Sequence, residues 1–199
     1  MRPEGINFAL VGVGGQGTIL ASDVLAELGL RLGYDVKKAE VHGMSQRGGS
    51  VTSHLRWGAQ VFSPIIPRGE ADVLIAFEKL EAARFMDILK PGGLALVNDY
   101  AIEPLSVLTT GVAYPNDEVI REWVAQVTPR AYWVKGIEIA ERLGNARVAN
   151  MVLLGALSGL LDLDEGQWNA VLELRIPAKH LNINRQAFYA GREAVAAAV

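Results

Sequence analysis

An apolar stretch over residues 6–13 runs without a break into GVGGQG at 12–17, and then into a helical repeat over 18–32. Strand, glycine turn and helix in direct succession constrain the fold more than any other feature of this chain. They call for a buried strand whose C-terminal end opens onto a helix N-terminus. Leu20, Val24, Leu25, Leu28 and Leu32 fall on one face of that helix, and Gly33 stops it. Glycines at such a turn let backbone N–H groups approach an anion where the helix dipole favours negative charge. They equally serve close packing of helix on strand, so the pattern alone names no ligand.

The rest of the chain alternates in the same way. Residues 34–41, 71–77, 94–98 and 132–134 read as further strands, and 79–89, a segment ending at 143, 148–161, 165–174 and a last segment from about 184 read as helices. Asn116 and Asp117 cap another helix, whose apolar face is Val119, Ile120, Trp123, Val124 and Val127. Residues 51–57 alternate, and Gly58-Ala59 turns them back into 60–66, which predicts a hairpin. The resulting fold class is α/β: a Rossmann-like, doubly wound, mostly parallel mixed sheet with a helical C-terminal third. We expect a single domain over 1–199, with the sheet part ending near 143 and the helical part beginning near 144. The segment 148–161 is apolar nearly all round, and Gly155, Ala156, Ser158 and Gly159 permit close approach of another backbone. It is either a central core helix or a surface for a partner.

Composition excludes several functions. The net charge of -3 and a pI near 5.7 lack the broadly basic footprint of a nucleic-acid binder. No apolar run is long enough to cross a bilayer, and the N-terminus lacks a signal-peptide layout, so a cytoplasmic protein is expected. The chain contains no cysteine, which rules out disulfides, thiolate zinc sites, a cysteine nucleophile and cysteine-bound iron–sulfur clusters within it. Charge is uneven: residues 36–69 hold Lys37, Lys38, Arg47, Arg56 and Arg68 against the single acid Glu40, a local +4 suited to an anionic ligand or an acidic partner surface.

Two loops carry the candidate chemistry. In the first, Gly14, Gly15, Gln16 and Gly17 form a flexible, amide-bearing tip. The second is VHGMSQRGGSV at 41–51. There Arg47 offers a forked donor to carboxylate or phosphate, Ser45 and Gln46 add hydrogen-bonding side chains, and His42 adds an imidazole, the side-chain type suited to proton exchange near neutral pH. Gly43, Gly48 and Gly49 allow backbone shapes that side chains forbid. Both loops belong at the C-terminal edge of the sheet, where open α/β folds bind ligands. Glu40, 23 residues beyond Gly17, stands where a dinucleotide enzyme places its ribose-binding acid, which makes a free-standing NAD- or FAD-dependent oxidoreductase one alternative. A non-catalytic assembly subunit with purely packing glycines is another. His54 and His180 read as structural, with no metal-ligand spacing among the histidines. Nothing marks Asp72 and Glu78 as an acid/base couple, and Asn184-Arg185 reads as a helix cap.

GVGGQG, VKKAEVHGMSQRGGSV, FSPIIPRGEADVLIAFE, KPGGLALVND and, near the end, NARVANMVLLGALSGLL and NRQAFYAGREAV follow one another in this order. Together they resemble the gamma-type domain of the 2-oxoacid:ferredoxin oxidoreductase family, and within it the beta-subunit branch that acts on indolepyruvate. Pyruvate and 2-oxoglutarate relatives carry a different tetrad where this chain has Ser45, Gln46, Arg47 and Gly48. The resemblance implies oxidative decarboxylation of an aryl 2-oxoacid with coenzyme A, giving an acyl-CoA and CO2, with electrons passing to ferredoxin. It further implies a large alpha subunit as partner, carrying thiamine diphosphate, magnesium and the iron–sulfur clusters, so that this chain binds none of them and is inactive alone. The absence of cysteine, and of a Gly-Asp-Gly thiamine motif followed by its asparagine, agrees with that division. His42 and Arg47 are then the expected catalytic residues. Gly14, Gly15, Gln16, Gly17, Ser45, Gln46, Gly48 and Gly49 are the expected contacts to substrate or coenzyme A.

Overall fold

The structure is a computed structural model that describes residues 5–42, 49–103, 113–161 and 163–196. Its sheet has six strands in the order β2-β3-β1-β4-β5-β6. They are β1 (Gly5–Val13), β2 (Asp35–His42), β3 (Ser50–Gly58), β4 (Ala71–Ala76), β5 (Leu89–Asn98) and β6 (Ala131–Val134). β3 runs antiparallel to both of its neighbours, and the remaining strands share one direction, so the sheet is mixed and mostly parallel as expected. The described helices are α1 (Thr18–Arg31), α2 (Lys79–Arg84), α3 (Asp117–Val127), α4 (Gly136–Arg142), α5 (Ala149–Leu160), α6 (Glu165–Arg175) and α7 (Ala178–Ala196).

Strand periodicity divides the core between two faces. Phe8, Leu10, Leu55, Val73, Ile75, Leu94 and Leu96 face α1 and the C-terminal helices. Ala9, Val11, Leu74, Ala76, Ala95 and Val97 face the side on which Ala82 of α2 and Val124 of α3 pack. Helices on both faces make the sheet doubly wound. On α3, Asn116 Oδ1 accepts from the Val119 N–H over 2.9 Å; Ile120 and Val124 are buried, while Trp123 stays 43% exposed.

The expected hairpin between 51–57 and 60–66 does not form. β3 pairs with β2 instead, His42 opposite Val51, so β2 and β3 make the hairpin. With β1 on its other side, β3 has no free edge for a further strand. The backbone of 60–66 is satisfied by side chains: Val61 N–H donates to Asp35 over 2.8 Å, Ile66 N–H to His54 Nδ1 over 3.1 Å, and Arg56 donates to the carbonyls of Ser63 and Ile65. Pro64 and Pro67 have no N–H with which to join a ladder.

Three other boundaries differ from expectation. The helix predicted over 79–89 ends at Arg84, where a short 3-10 turn, Met86–Ile88, buries Met86 and Ile88 and delivers the chain to β5 at Leu89. α7 begins at Ala178, directly after Pro177, rather than near 184; its first turn is exposed and has no apolar period to betray it. Asn184 is therefore no cap: its side-chain amide donates to the His180 carbonyl over 2.8 Å, and Arg185 pairs with Glu173.

α5 is a core helix, buried from Ala149 to Ser158 within the chain itself. Its main neighbour is α7, and the two backbones touch. A Cβ on Gly155 would lie 1.7 Å from the Phe188 carbonyl oxygen, and one on Gly191 would lie 1.9 Å from that of Val152. Small residues thus serve an internal helix crossing.

Candidate functional site

The GVGGQG turn leaves the C-terminal end of β1 and enters α1. Gly17 caps the helix in the left-handed region at φ 79°, and Gly15 has φ 102°, conformations that side chains disfavour. Gln16 folds back: its Oε1 accepts from the Val13 N–H over 2.7 Å, and its Nε2 donates to the Phe77 carbonyl over 2.8 Å. The amide expected to face a ligand therefore ties the end of β1 to the end of β4. Gly14 and Gly15 remain at the mouth of the turn, Gly15 exposed.

The register brings the second loop to the same edge. Val13 lies opposite Ser50, Val51 opposite His42, and the Gly14 N–H donates to the Gly49 carbonyl over 2.9 Å. The glycine tip, the end of β2 and the start of β3 are therefore neighbours at the C-terminal edge. His42 is described only as the last backbone position of β2. Its side chain, together with Gly43, Ser45, Gln46, Arg47 and Gly48, lies outside the described residues.

A cleft of about 320 Å³ opens beside the glycine tip, lined by Gly14, Gly15, Gln16, Phe77, Asn98, Tyr100, Ile102 and Arg147, with Ile137, Ala146 and Ala149 completing its wall. It sits where the chain order reverses: β1 leads through α1 to one side of the sheet, while β4 and β5 extend on the other. Open α/β sheets bind ligands at such a reversal. The cleft is apolar along Phe77, Ile102 and Ile137, and the glycine tip, Asn98 and Arg147 supply its polar lining. That combination suits an elongated ligand carrying an anionic group. Asn98 closes the floor: its Nδ2 donates to the Phe77 carbonyl over 3.0 Å and its Oδ1 accepts from the Gly136 N–H over 2.9 Å. The Phe77 carbonyl thus receives both Gln16 and Asn98.

Asn98, Arg147 and Glu81 escaped the sequence reading. Asn98 carried a legible signal, an amide at the C-terminal end of an apolar strand. Arg147 carried none; the fold brings it from beyond α4. Glu78 caps α2, accepting from the Glu81 N–H over 2.8 Å, from the Ile102 N–H over 3.1 Å and from the Tyr114 hydroxyl. Burial, then the Glu78 carboxylate, hold the Tyr114 hydroxyl well above the usual phenol range, so it stays a donor. Asp72 lies at the opposite end of β4 and accepts from the Asn7 N–H over 2.8 Å, so it forms no couple with Glu78.

The local excess of positive charge is largely spent on structure. Lys37 bonds Asp35 over 2.5 Å, Lys38 bonds both Asp23 and Glu40, and Arg68 pairs with Asp87 over 3.1 Å. Burial pulls the Lys38 ammonium down, but the carboxylates of Asp23 and Glu40 outweigh it and hold the group above its ordinary value. Arg56 lies toward the other end of the sheet, beside Asn7. Among the described residues, Arg147 is the cation that reaches the cleft.

Glu40 does not occupy the ribose-binding place of a dinucleotide fold. There the second strand lies next to the first, whereas here β3 intervenes and moves Glu40 about 10 Å from β1, two strand spacings away. Nor do the residues fit a resident iron–sulfur cluster, since the chain has no cysteine. Among the described residues no three His, Cys, Asp or Glu side chains gather as a metal site, and no helix is long and apolar enough to cross a membrane.

A mixed, doubly wound sheet with a glycine tip and an apolar cleft at its C-terminal edge defines a Rossmann-like ligand-binding domain. The chain belongs to the pyruvate ferredoxin/flavodoxin oxidoreductase family, whose pattern matches residues 7–194. It is 38% identical over 191 residues to the indolepyruvate oxidoreductase subunit IorB of Thermococcus kodakarensis, covering 94% of this chain and 95% of that one. Against the subunit of the same name from Archaeoglobus fulgidus it is 40% identical over 189 residues, covering 94% and 93%. Among solved structures, the gamma subunit of a keto/oxoacid ferredoxin oxidoreductase from Geobacter sulfurreducens superposes with a TM-score of 0.70 at 25% identity, covering 96% of this chain and 99% of that one.

Proposed function

We propose that this chain is the subunit without cofactors of a thiamine-diphosphate-dependent 2-oxoacid:ferredoxin oxidoreductase acting on aryl 2-oxoacids of the indolepyruvate kind. In the cytoplasm it joins a large alpha subunit that carries thiamine diphosphate, magnesium and the iron–sulfur clusters. The complex cleaves the bond between the carboxylate and the 2-oxo carbon, releases CO2, transfers the acyl group to coenzyme A and passes the electron pair to ferredoxin. The chain is a single gamma-type domain and has no activity alone.

The observation that carries this reading is the near full-length likeness, at 38% and 40% identity, to subunits named for indolepyruvate. In the proposed arrangement the glycine tip and the hairpin loop face the partner's thiamine site and exclude water from it. Arg47, Ser45 and Gln46 hold the 2-oxoacid carboxylate or a coenzyme A phosphate, and His42 orients the substrate or exchanges a proton. Gly14, Gly15, Gly17, Gly48 and Gly49 offer backbone to the ligand, Gln16 keeps the tip in shape, and Arg147 supplies a further cation at the cleft.

Co-expression with the neighbouring large reading frame tests the assignment. A brown, thiamine-containing subunit should co-purify with this chain and reduce ferredoxin only when indolepyruvate and coenzyme A are both present. Arg47→Ala should impair turnover while leaving the complex assembled. Wild-type turnover by that variant would remove Arg47 from the site, and tight NAD or FAD binding by the chain alone would overturn the function.

A further inference from the structure

We infer that Glu81, acting through Ser50, is a positioning residue for the glycine tip; the ligand in question, coenzyme A, rests on the function proposed above. Glu81 is only 3% exposed, and burying a carboxylate is costly unless its bonds are made. The helix cap does not require it, because Glu78 satisfies the Glu81 N–H. Its Oε1 accepts from Arg84 over 2.6 Å, while Oε2 accepts from the Ser50 hydroxyl, on a different element.

Ser50 opens β3 opposite Val13, the last residue of β1, and the residue before it, Gly49, accepts the Gly14 N–H. The connection therefore runs from α2 through Ser50, the first residue of β3, and Gly49 to the backbone of the tip. Gln16 holds the other side of the tip to β4. Gly14 and Gly15 lie between these two restraints and line the cleft; Glu81 does not. The Gly14 N–H is spent on Gly49, and the Gly15 peptide follows it at the cleft. A group displaced by about 1 Å loses much of its binding and orienting effect, so an outer carboxylate that fixes Gly14 sets the place of Gly15 and acts on the ligand without touching it.

The test uses Ser50→Ala, Ser50→Thr, Glu81→Met and the double variant Ser50→Ala/Glu81→Met. In the full chain alone, amide exchange at Gly14 should accelerate several-fold in Ser50→Ala and return to the wild-type rate in Ser50→Thr, which keeps the hydroxyl. In the reconstituted complex, Ser50→Ala should raise the KM for coenzyme A about tenfold with kcat changed less than threefold. Glu81→Met should do the same, and the double variant should be no worse than either single one. If Glu81→Met fails to fold, Ser50→Ala and Ser50→Thr still decide the matter.

Unchanged Gly14 exchange in Ser50→Ala overturns the inference and leaves the proposed function standing. Faster exchange with an unchanged KM also overturns it, since the tip would then move without consequence. A wild-type complex indifferent to coenzyme A strikes the proposed function instead, and removes the ligand from this inference whatever the exchange rates show.

Discussion

The Gly14 N–H and the Gly49 carbonyl are joined by a hydrogen bond of 2.9 Å, although the two residues belong to separate loops. Through it the glycine tip is tied to the residue before β3 at the C-terminal edge of the sheet, where the cleft opens beside the tip.

Arg47→Ala should lower kcat/KM of the reconstituted complex by about ten- to a hundredfold, the effect of one lost charge-assisted hydrogen bond. Gel filtration should show the complex intact, and Arg47→Lys should recover only part of the loss, because an ammonium lacks the forked geometry.

Arg147 lines the cleft from an exposed position, so its removal should be felt by the ligand and not by the fold. Arg147→Ala should raise the KM for coenzyme A by roughly tenfold while the melting temperature stays within about 2 °C of wild type.

Gln16→Ala removes both the acceptor of the Val13 N–H and the donor to the Phe77 carbonyl. The Val13 N–H loses its acceptor, while the Phe77 carbonyl keeps its bond from Asn98, so a loss of about 1–3 kcal/mol is expected in urea unfolding. Gln16→Glu, which keeps the acceptor but sets a carboxylate against the Phe77 carbonyl, should recover none of it.

Gly155→Ala and Gly191→Ala each drive a methyl group into a carbonyl oxygen of the facing helix, at 1.7 and 1.9 Å. Neither backbone can yield without parting α5 from α7, so each change should cost about 3 kcal/mol or more, or prevent folding, in thermal and urea melts.

His54 is buried and its Nδ1 accepts the Ile66 N–H, a bond that requires the neutral ring. Burial holds its pKa below the ordinary value of 6.5. The unfolded chain therefore takes up the proton first as pH falls. Stability is full above about 6.5 and declines below it, until the folded-state value is reached. His54→Asn, which keeps an acceptor near the same place, should flatten the dependence of unfolding free energy on pH between about 7 and 5.

Much of the fold was legible because strand and helix periods are local properties. The unbroken apolar run from Phe8 to Val11 and the face of Leu25 and Leu28 are written in neighbouring residues, and both occupy the core as expected. The glycine turn was legible for the same reason, since positive φ at Gly15 and Gly17 is a demand of the backbone itself. The exposed start of α7 was not, because four exposed residues, Pro177, Ala178, Lys179 and His180, carry no apolar period.

The sequence by itself determined a doubly wound α/β chain with a glycine tip, a polar loop, no cysteine and a set of ordered motifs, all of which depend on residues close together along the chain. Tertiary structure alone decided that β3 inserts between β2 and β1, that Glu40 stands away from the tip, and that α5 is covered by α7 rather than by a partner. It alone brought Arg147, Asn98 and Glu81 around one edge. Strand order and helix crossing arise from contacts between residues many positions apart, where shape complementarity and hydrogen-bond satisfaction select among topologies that the same local pattern allows.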